Sequence, residues 1–253
     1  MIPESTVTAF IAAFIFTLPL PIILLIILGI RRKIKWLSLL AGAGAFFLSQ
    51  IVLRIPLLNV LSTQGWYQDF TKHYLLYVLA LSLSAGLFEE SARYGGAVLL
   101  KERRSFKDAV SFGLGHAFCE LVIVAGITHI NNITLCLLIN SGNDAVLSAF
   151  PADVIQKAAN TFMTVHSADI YWGILERFSA VLFHVFATVL VFRSVREKKA
   201  RYYILAVAAH TVFNLSGVLL ARFAGIVVSE AVLLILALTA GGYVMKQTNY
   251  TWG

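Results

Sequence analysis

Two adjacent glutamates, an arginine, and a histidine with an asparagine have the types and spacing that amide hydrolysis requires. Glu89 and Glu90 stand side by side, and Arg93 follows within one helical turn. Paired carboxylates offer a general base and a general acid for activating water. His210 and Asn214, four residues apart, can donate hydrogen bonds to an oxyanion that develops on a scissile carbonyl. Together these groups favour hydrolysis of a peptide bond.

The histidines also suit a metal centre. His116, His184 and His210 would supply three imidazoles, and a carboxylate would complete a tetrahedral zinc site or leave one position for water. Another carboxylate would then act as the general base. Glu120 lies on the same helix face as His116, four residues later. Zn²⁺ is therefore a candidate cofactor, and glutamic and metal-dependent hydrolysis both stay open.

These ionisable residues lie inside apolar segments at similar depths. Ionisable groups are costly in lipid, so they mark functional positions by default. His116, His184 and His210 each lie nine residues from the nearest basic flank, which is ~14 Å along a helix. Glu89 lies twelve residues from Lys101, or ~18 Å. Four segments therefore bring these side chains to one plane in one half of the membrane.

The composition indicates an integral membrane protein. Of 253 residues, 59% are hydrophobic and only 13% are charged, and the mean hydropathy is +0.82. Soluble domains contain roughly 25% charged residues. The net charge of +7 does not indicate a nucleic-acid partner, because the basic residues cluster between apolar runs. We predict membrane lipid as the surrounding medium and no nucleic-acid binding.

Seven apolar segments are long enough to cross a bilayer as helices. They cover residues 7–30, 36–60, 74–100, 109–139, 172–192, 202–221 and 224–245. We predict an all-α, polytopic membrane bundle that forms a single transmembrane domain over 1–253. Pro19 and Pro21 should kink the first span, because proline removes a helical hydrogen bond and its ring clashes with the preceding turn.

The four-helix core that contains the candidate site is predicted at 74–221. Residues 140–171 are predicted to form an outer loop with a short amphipathic helix near Val154 to Thr161.

Basic residues concentrate in the loops after spans one, three and five and in the tail: Arg31, Arg32, Lys33, Lys35, Lys101, Arg103, Arg104, Lys107, Arg193, Arg196, Lys198, Lys199, Arg201 and Lys246. The opposite loops contain Lys72, Lys157 and Arg222. This asymmetry predicts an N-terminus outside and a C-terminus in the cytoplasm.

At these motifs the chain resembles the CAAX-processing and bacteriocin-processing (CPBP) intramembrane endopeptidases. Those enzymes have a Glu-Glu motif with a basic residue, then Phe-x-x-x-His, then His-x-x-x-Asn. The matching segments are Glu89-Glu90-Ser-Ala-Arg93, Phe112-Gly-Leu-Gly-His116 and His210-Thr-Val-Phe-Asn214. The arginine comes one position earlier than in the CAAX-type pattern. That closer spacing is similar to the pattern of the PrsW-type proteases, as are Phe183-His184 and Glu120. The combination of CAAX-type and PrsW-type motifs most resembles the YhfC-like group of intramembrane peptidases.

The resemblance implies a role for each residue of the glutamate motif. Glu89 would activate water together with His116, while Glu90 and Arg93 would hold and tune Glu89. The expected substrate is a membrane protein or peptide, cleaved within or beside the bilayer. The resemblance also implies a multi-pass protein of a bacterial or archaeal plasma membrane.

The remaining matched residues have different implied roles. His210 and Asn214 would form the oxyanion site, as in the CAAX-type enzymes. His184 and Glu120 are additional to the CAAX-type pattern, and they favour a metal ion held with His116 and His210.

Two functions other than proteolysis are compatible with these residues. The seven-span layout also resembles the APH scaffold subunit of γ-secretase, which does no proteolysis itself and would require a membrane protein partner. Glu89 and Glu90 favour an enzyme, because that scaffold lacks the full double-glutamate motif. Glutamates and histidines in a membrane also serve proton-coupled transporters. The chain shows no inverted repeat of the transporter kind, so we rank this function last.

Overall fold

A computed structural model describes residues 1–142 and 147–248, and every regular element in these ranges is helical. Seven helical stretches are long and apolar enough to cross a membrane: Glu4–Ile30, Trp36–Ser62, Tyr74–Leu99, Phe106–Ser141, Ser167–Glu197, Ala200–Phe223 and Ile226–Gln247. The predicted all-α, multi-pass architecture is confirmed. The orientation of the termini and the single-domain boundaries stay predictions.

Twelve α-helices are described within and between these spans. They are α1 (Glu4–Thr17), α2 (Pro19–Ile30), α3 (Trp36–Phe46), α4 (Ile55–Ser62), α5 (Gly65–Thr71), α6 (Tyr74–Leu99), α7 (Phe106–Glu120), α8 (Ile127–Ser141), α9 (Ala152–Thr164), α10 (Ser167–Glu197), α11 (Ala200–Phe223) and α12 (Ile226–Gln247). Two π-helical stretches, Phe47–Arg54 and Leu121–Gly126, follow α3 and α7 directly.

Two local predictions about helix boundaries are confirmed, and one boundary differs. The first span breaks at Leu18, between α1 and α2, where Pro19 and Pro21 remove backbone donors. The predicted amphipathic helix in the outer loop is present as α9. The fifth span, α10, is longer than the apolar segment 172–192, because its polar ends continue the helix beyond the hydrophobic stretch.

The described chain divides into two compact units. Unit 1 comprises Met1–Ile26 and Leu121–Arg177, and its core contains Phe10, Cys136 and Phe162. Unit 2 comprises Ile27–Glu120 and Phe178–Gly253. Every residue of the candidate site belongs to unit 2.

Glycines let α3 and α7 of unit 2 approach until their backbones touch. A Cβ added to Gly42 on α3 would lie 1.9 Å from the carbonyl oxygen of Phe112 on α7. A Cβ added to Gly115 on α7 would lie 1.9 Å from the carbonyl oxygen of Leu39 on α3. Close approach at small residues is a main source of helix association in lipid. Because Gly115 precedes His116, this contact fixes the position of His116.

Two further glycines bring the other helices of unit 2 together. A Cβ on Gly86 of α6 would lie 3.0 Å from the carbonyl oxygen of Val207 on α11. A Cβ on Gly113 of α7 would lie 2.8 Å from the Cα of Val185 on α10. Gly86 lies three residues before Glu89, and Val185 follows a histidine of the candidate site. The helix crossings therefore lie beside the ionisable side chains.

We predict that Gly115→Ala destabilises the protein by about 3 kcal/mol or more, because the new methyl group would overlap a backbone carbonyl that cannot move alone. The matched control is Gly95→Ala on α6, where an added Cβ has no neighbouring atom within 4 Å. That control should be neutral or stabilising by up to ~1 kcal/mol, since alanine favours a helix more than glycine does. Thermal unfolding in detergent measures both. Equal stability of the two variants would contradict the close α3–α7 contact.

Candidate active site

Helix α6 presents Glu89, Glu90 and Arg93 to the interior of unit 2. Glu89 is 5% exposed, and Glu90 and Arg93 are fully buried. Spacings of three and four residues place Arg93 over both carboxylates on one helix face. Arg93 Nη1 donates to Glu90 Oε1, and Arg93 Nη2 donates to Glu89 Oε2 at 3.3 Å. The buried guanidinium is therefore paired, as a charge in an apolar environment must be.

Three histidines from three other helices surround the carboxylate of Glu89. His116 Nε2 on α7 lies 2.9 Å from Glu89 Oε2. His184 Nδ1 on α10 lies 3.9 Å from the same oxygen, and His210 Nε2 on α11 lies 3.8 Å from Glu89 Oε1. All three imidazoles are buried. Four helices thus place a carboxylate and three imidazoles in one small volume.

His184 is engaged through both of its ring nitrogens. Arg93 Nη2 lies 2.7 Å from His184 Nδ1, and Glu120 Oε2 lies 2.6 Å from His184 Nε2. A guanidinium can only donate, so Nδ1 must accept and Nε2 must hold the ring proton. Glu120 shares a helix with His116, but its carboxylate contacts His184.

His210 is oriented by Glu90. His210 Nδ1 lies 2.7 Å from Glu90 Oε1 and donates to it. In the neutral ring, Nε2 then turns a lone pair toward Glu89 Oε1, an acceptor 3.8 Å away. Because both atoms are acceptors they form no direct hydrogen bond, and a water that donates to each could join them. Phe183 packs edge-on to His210 at 5.5 Å and stacks on Phe213 at 4.4 Å, which holds the imidazole in place.

Asn214 lies one turn beyond His210 on α11 and is half-buried. Within residues 1–142 and 147–248 its side chain makes no hydrogen bond, so it is the one predicted site residue that does not join the ionisable cluster. Phe46, whose ring packs edge-on to that of His116 at 5.3 Å, was not predicted as a site residue. An aromatic residue in an apolar segment has no pattern that would distinguish this contact.

A half-buried arginine, Arg54, lies on the π-helical stretch after α3. Arg54 donates to Gln50 Oε1 at 3.1 Å, to Ser84 Oγ at 3.1 Å and to the Leu81 carbonyl oxygen at 2.8 Å. Ser84 and Leu81 belong to α6, so Arg54 ties the π-helical stretch to the helix that bears Glu89.

The donor atoms of the cluster fit a zinc ion in type and spacing. Glu89, His116 and His184 each offer one ligand atom, and these atoms lie within 4.8 Å of one another. Zinc takes nitrogen and oxygen donors at ~2.0–2.2 Å in a tetrahedron, which requires donors a few ångströms apart. His210 Nε2, on the opposite side of Glu89, is a further possible ligand. The cluster is compatible with a metal such as zinc.

We predict that Glu90→Ala destabilises the protein by about 3–5 kcal/mol, because it removes a fully buried partner of Arg93 and of His210. Glu102→Ala, in the exposed loop after α6, is the control and should leave stability unchanged. Thermal or denaturant unfolding in detergent measures both. A Glu90→Ala variant as stable as the control would show that this buried pairing is not needed for the fold.

Comparisons with known proteins identify the family of this chain. A family model described as YhfC intramembrane metalloprotease matches residues 16–236, which include every residue of the candidate active site. A relative, the uncharacterized membrane protein YhfC of Bacillus subtilis (strain 168), is 29% identical over 205 residues, covering 79% of this chain and 78% of that protein. No solved structure matches. The family model covers most of the sequence, and the chain therefore belongs to the YhfC intramembrane metalloprotease family.

Proposed function

We propose that this chain is an intramembrane endopeptidase that hydrolyses peptide bonds in membrane-embedded or membrane-proximal segments. The observation that supports it most is the buried carboxylate of Glu89, which faces three imidazoles and one guanidinium inside the spans. Peptide hydrolysis needs a base for water, a proton carrier and a donor to the carbonyl oxygen. Membership of a family of intramembrane metalloproteases supports the same activity.

Glu89 is the residue to which we assign water activation. Its Oε2 atom is held by His116 and Arg93, so the carboxylate has a fixed orientation. Its Oε1 atom faces the His210 Nε2 lone pair across 3.8 Å. A water that donates one hydrogen to each acceptor turns its own lone pairs toward the substrate carbonyl. Glu89 then takes the proton as the water attacks, and returns it to the departing amine.

Asn214 is the donor that we assign to the oxyanion, beside His210. Its amide has no other hydrogen bond among the described residues, and it lies one helical turn from His210 on α11. His210 is positioned by Glu90, which keeps its ring aligned during the reaction. The residues that would hold zinc are Glu89, His116 and His184, and the ion would supply a Lewis acid that polarises the substrate carbonyl. The second oxygen of Glu89 would then remain the base.

The substrate class follows from the depth of the site. The cluster lies ~14–18 Å along the helices from the basic flanks, within the membrane half predicted to face the cytoplasm. A helical substrate hides its peptide carbonyls in hydrogen bonds, so it must unwind before water can attack. We therefore expect cleavage at sites where glycine or proline weakens a membrane helix.

We predict that Glu89→Gln lowers the cleavage rate by about 10²–10⁴-fold, because glutamine cannot accept the proton of the attacking water. The assay is cleavage of a panel of single-span peptides reconstituted with the protein in proteoliposomes, with products identified by mass spectrometry. Glu230→Gln is the control. This glutamate is equally buried, at 4% exposed, but lies on α12 and outside the cluster.

Wild-type cleavage that persists undiminished in Glu89→Gln would overturn the assignment. A chain that cleaves nothing, yet forms a stable complex with another membrane protein in both wild-type and Glu89→Gln forms, would instead indicate the scaffold function.

A second prediction concerns the oxyanion donor. Asn214→Ala should lower kcat by about 10²–10³-fold with little change in KM, because its hydrogen bond forms only as the oxyanion develops. Ser216→Ala, another half-buried polar residue on α11, is the control and should retain wild-type kinetics. A loss expressed mainly in KM would assign Asn214 to substrate binding instead.

A further inference from the structure

The guanidinium of Arg93 contacts two of the three residues that could hold a metal ion, Glu89 and His184. Its Nη2 atom lies 2.7 Å from His184 Nδ1 and 3.3 Å from Glu89 Oε2. An imidazole nitrogen has one lone pair, so it can accept a hydrogen bond or bind a metal, but not both. In this arrangement His184 Nδ1 is not available as a ligand.

Rotation of the His184 ring does not remove this restriction. The other nitrogen, Nε2, is occupied by Glu120 Oε2 at 2.6 Å. A divalent ion beside Glu89 would also be repelled by a guanidinium that touches the same carboxylate. The positive charge of Arg93 therefore occupies the position that the ion would need.

Glu90 has a second carboxylate oxygen to which the Arg93 guanidinium could donate. Arg93 Nη1 already binds Glu90 Oε1, while Glu90 Oε2 is buried and has no hydrogen-bond partner in the described part of the chain. A small rotation that moves Nη2 from His184 to Glu90 Oε2 would form a two-point pair, the geometry that arginine and carboxylate prefer. That movement would free His184 Nδ1 and one side of Glu89 together.

We propose that Arg93 is a displaceable cation within the metal centre, which excludes a divalent ion until its guanidinium withdraws onto Glu90. Arg93 then sets the affinity of the centre for zinc, and the metal-loaded and metal-free sites differ in one arginine position. This proposal rests on the metal-dependent form of the proposed function, and its test needs neither a substrate nor activity.

The test is the zinc affinity of the full-length, detergent-purified, metal-free protein, measured by competition with a chelator of known affinity. Arg93→Gln should bind zinc at least about tenfold more tightly than the wild type, within the usual range of coupling between competing ligands. Arg54→Gln is the matched control, since Arg54 is also an arginine within a span but is held by Gln50, Ser84 and Leu81. It should change the affinity by less than about threefold, as a long-range charge effect does.

Zinc affinity in Arg93→Gln that is equal to or weaker than that of the wild type would overturn the proposal, as would a lack of zinc binding in both proteins. These outcomes leave the peptidase assignment to the Glu89→Gln assay. Should Arg93→Gln fail to fold, solid-state NMR of the wild type, with labelled arginine and histidine, reports the contact between the Arg93 guanidinium and His184 Nδ1. The proposal requires this contact to vanish at one bound zinc per chain, and its persistence would contradict the proposal.

Discussion

The need to hold a fully buried arginine inside a membrane protein governs the arrangement of the candidate site. Arg93 is charged at any physiological pH, and a charge in an apolar medium requires partners on every side. Glu90, Glu89 and His184 provide them. Each partner then fixes another group, because Glu90 orients His210 and Glu89 binds His116. The orientations of all three histidines therefore depend, directly or through a glutamate, on the Arg93 guanidinium.

This arrangement requires helices that approach very closely, and the glycines allow it. Backbone contact between α3 and α7 at Gly42 and Gly115 places His116 within 2.9 Å of Glu89. Close contact of α6 with α11 at Gly86 and Val207 brings His210 within 3.8 Å of Glu89 and 2.7 Å of Glu90. Larger residues at these crossings would separate the helices. A network of buried ion pairs does not tolerate such a shift, because its energy depends on short distances.

The sequence predicted the spans and the depth of the ionisable residues, because helical rise converts residue counts into distance along the membrane normal. It did not predict every pairing between helices, because depth gives no information on helix rotation. Glu120 shares a helix face with His116 but pairs with His184, which depends on how α10 turns against α7. The π-helical stretch that contains Arg54 also lacked a sequence signal. Asn214 matched a motif, yet its role depends on a substrate.

Glu89 and three histidines from three helices lie in one small volume, in which Glu89, His116 and His184 could hold a metal ion. The most direct measurement is the zinc content of purified protein after saturation with zinc and removal of excess metal. Wild-type protein is compared with a variant that combines His116→Ala, His184→Ala and His210→Ala. We expect about one zinc per chain in the wild type and none above background in the variant. Equal zinc contents in the two proteins would contradict this expectation.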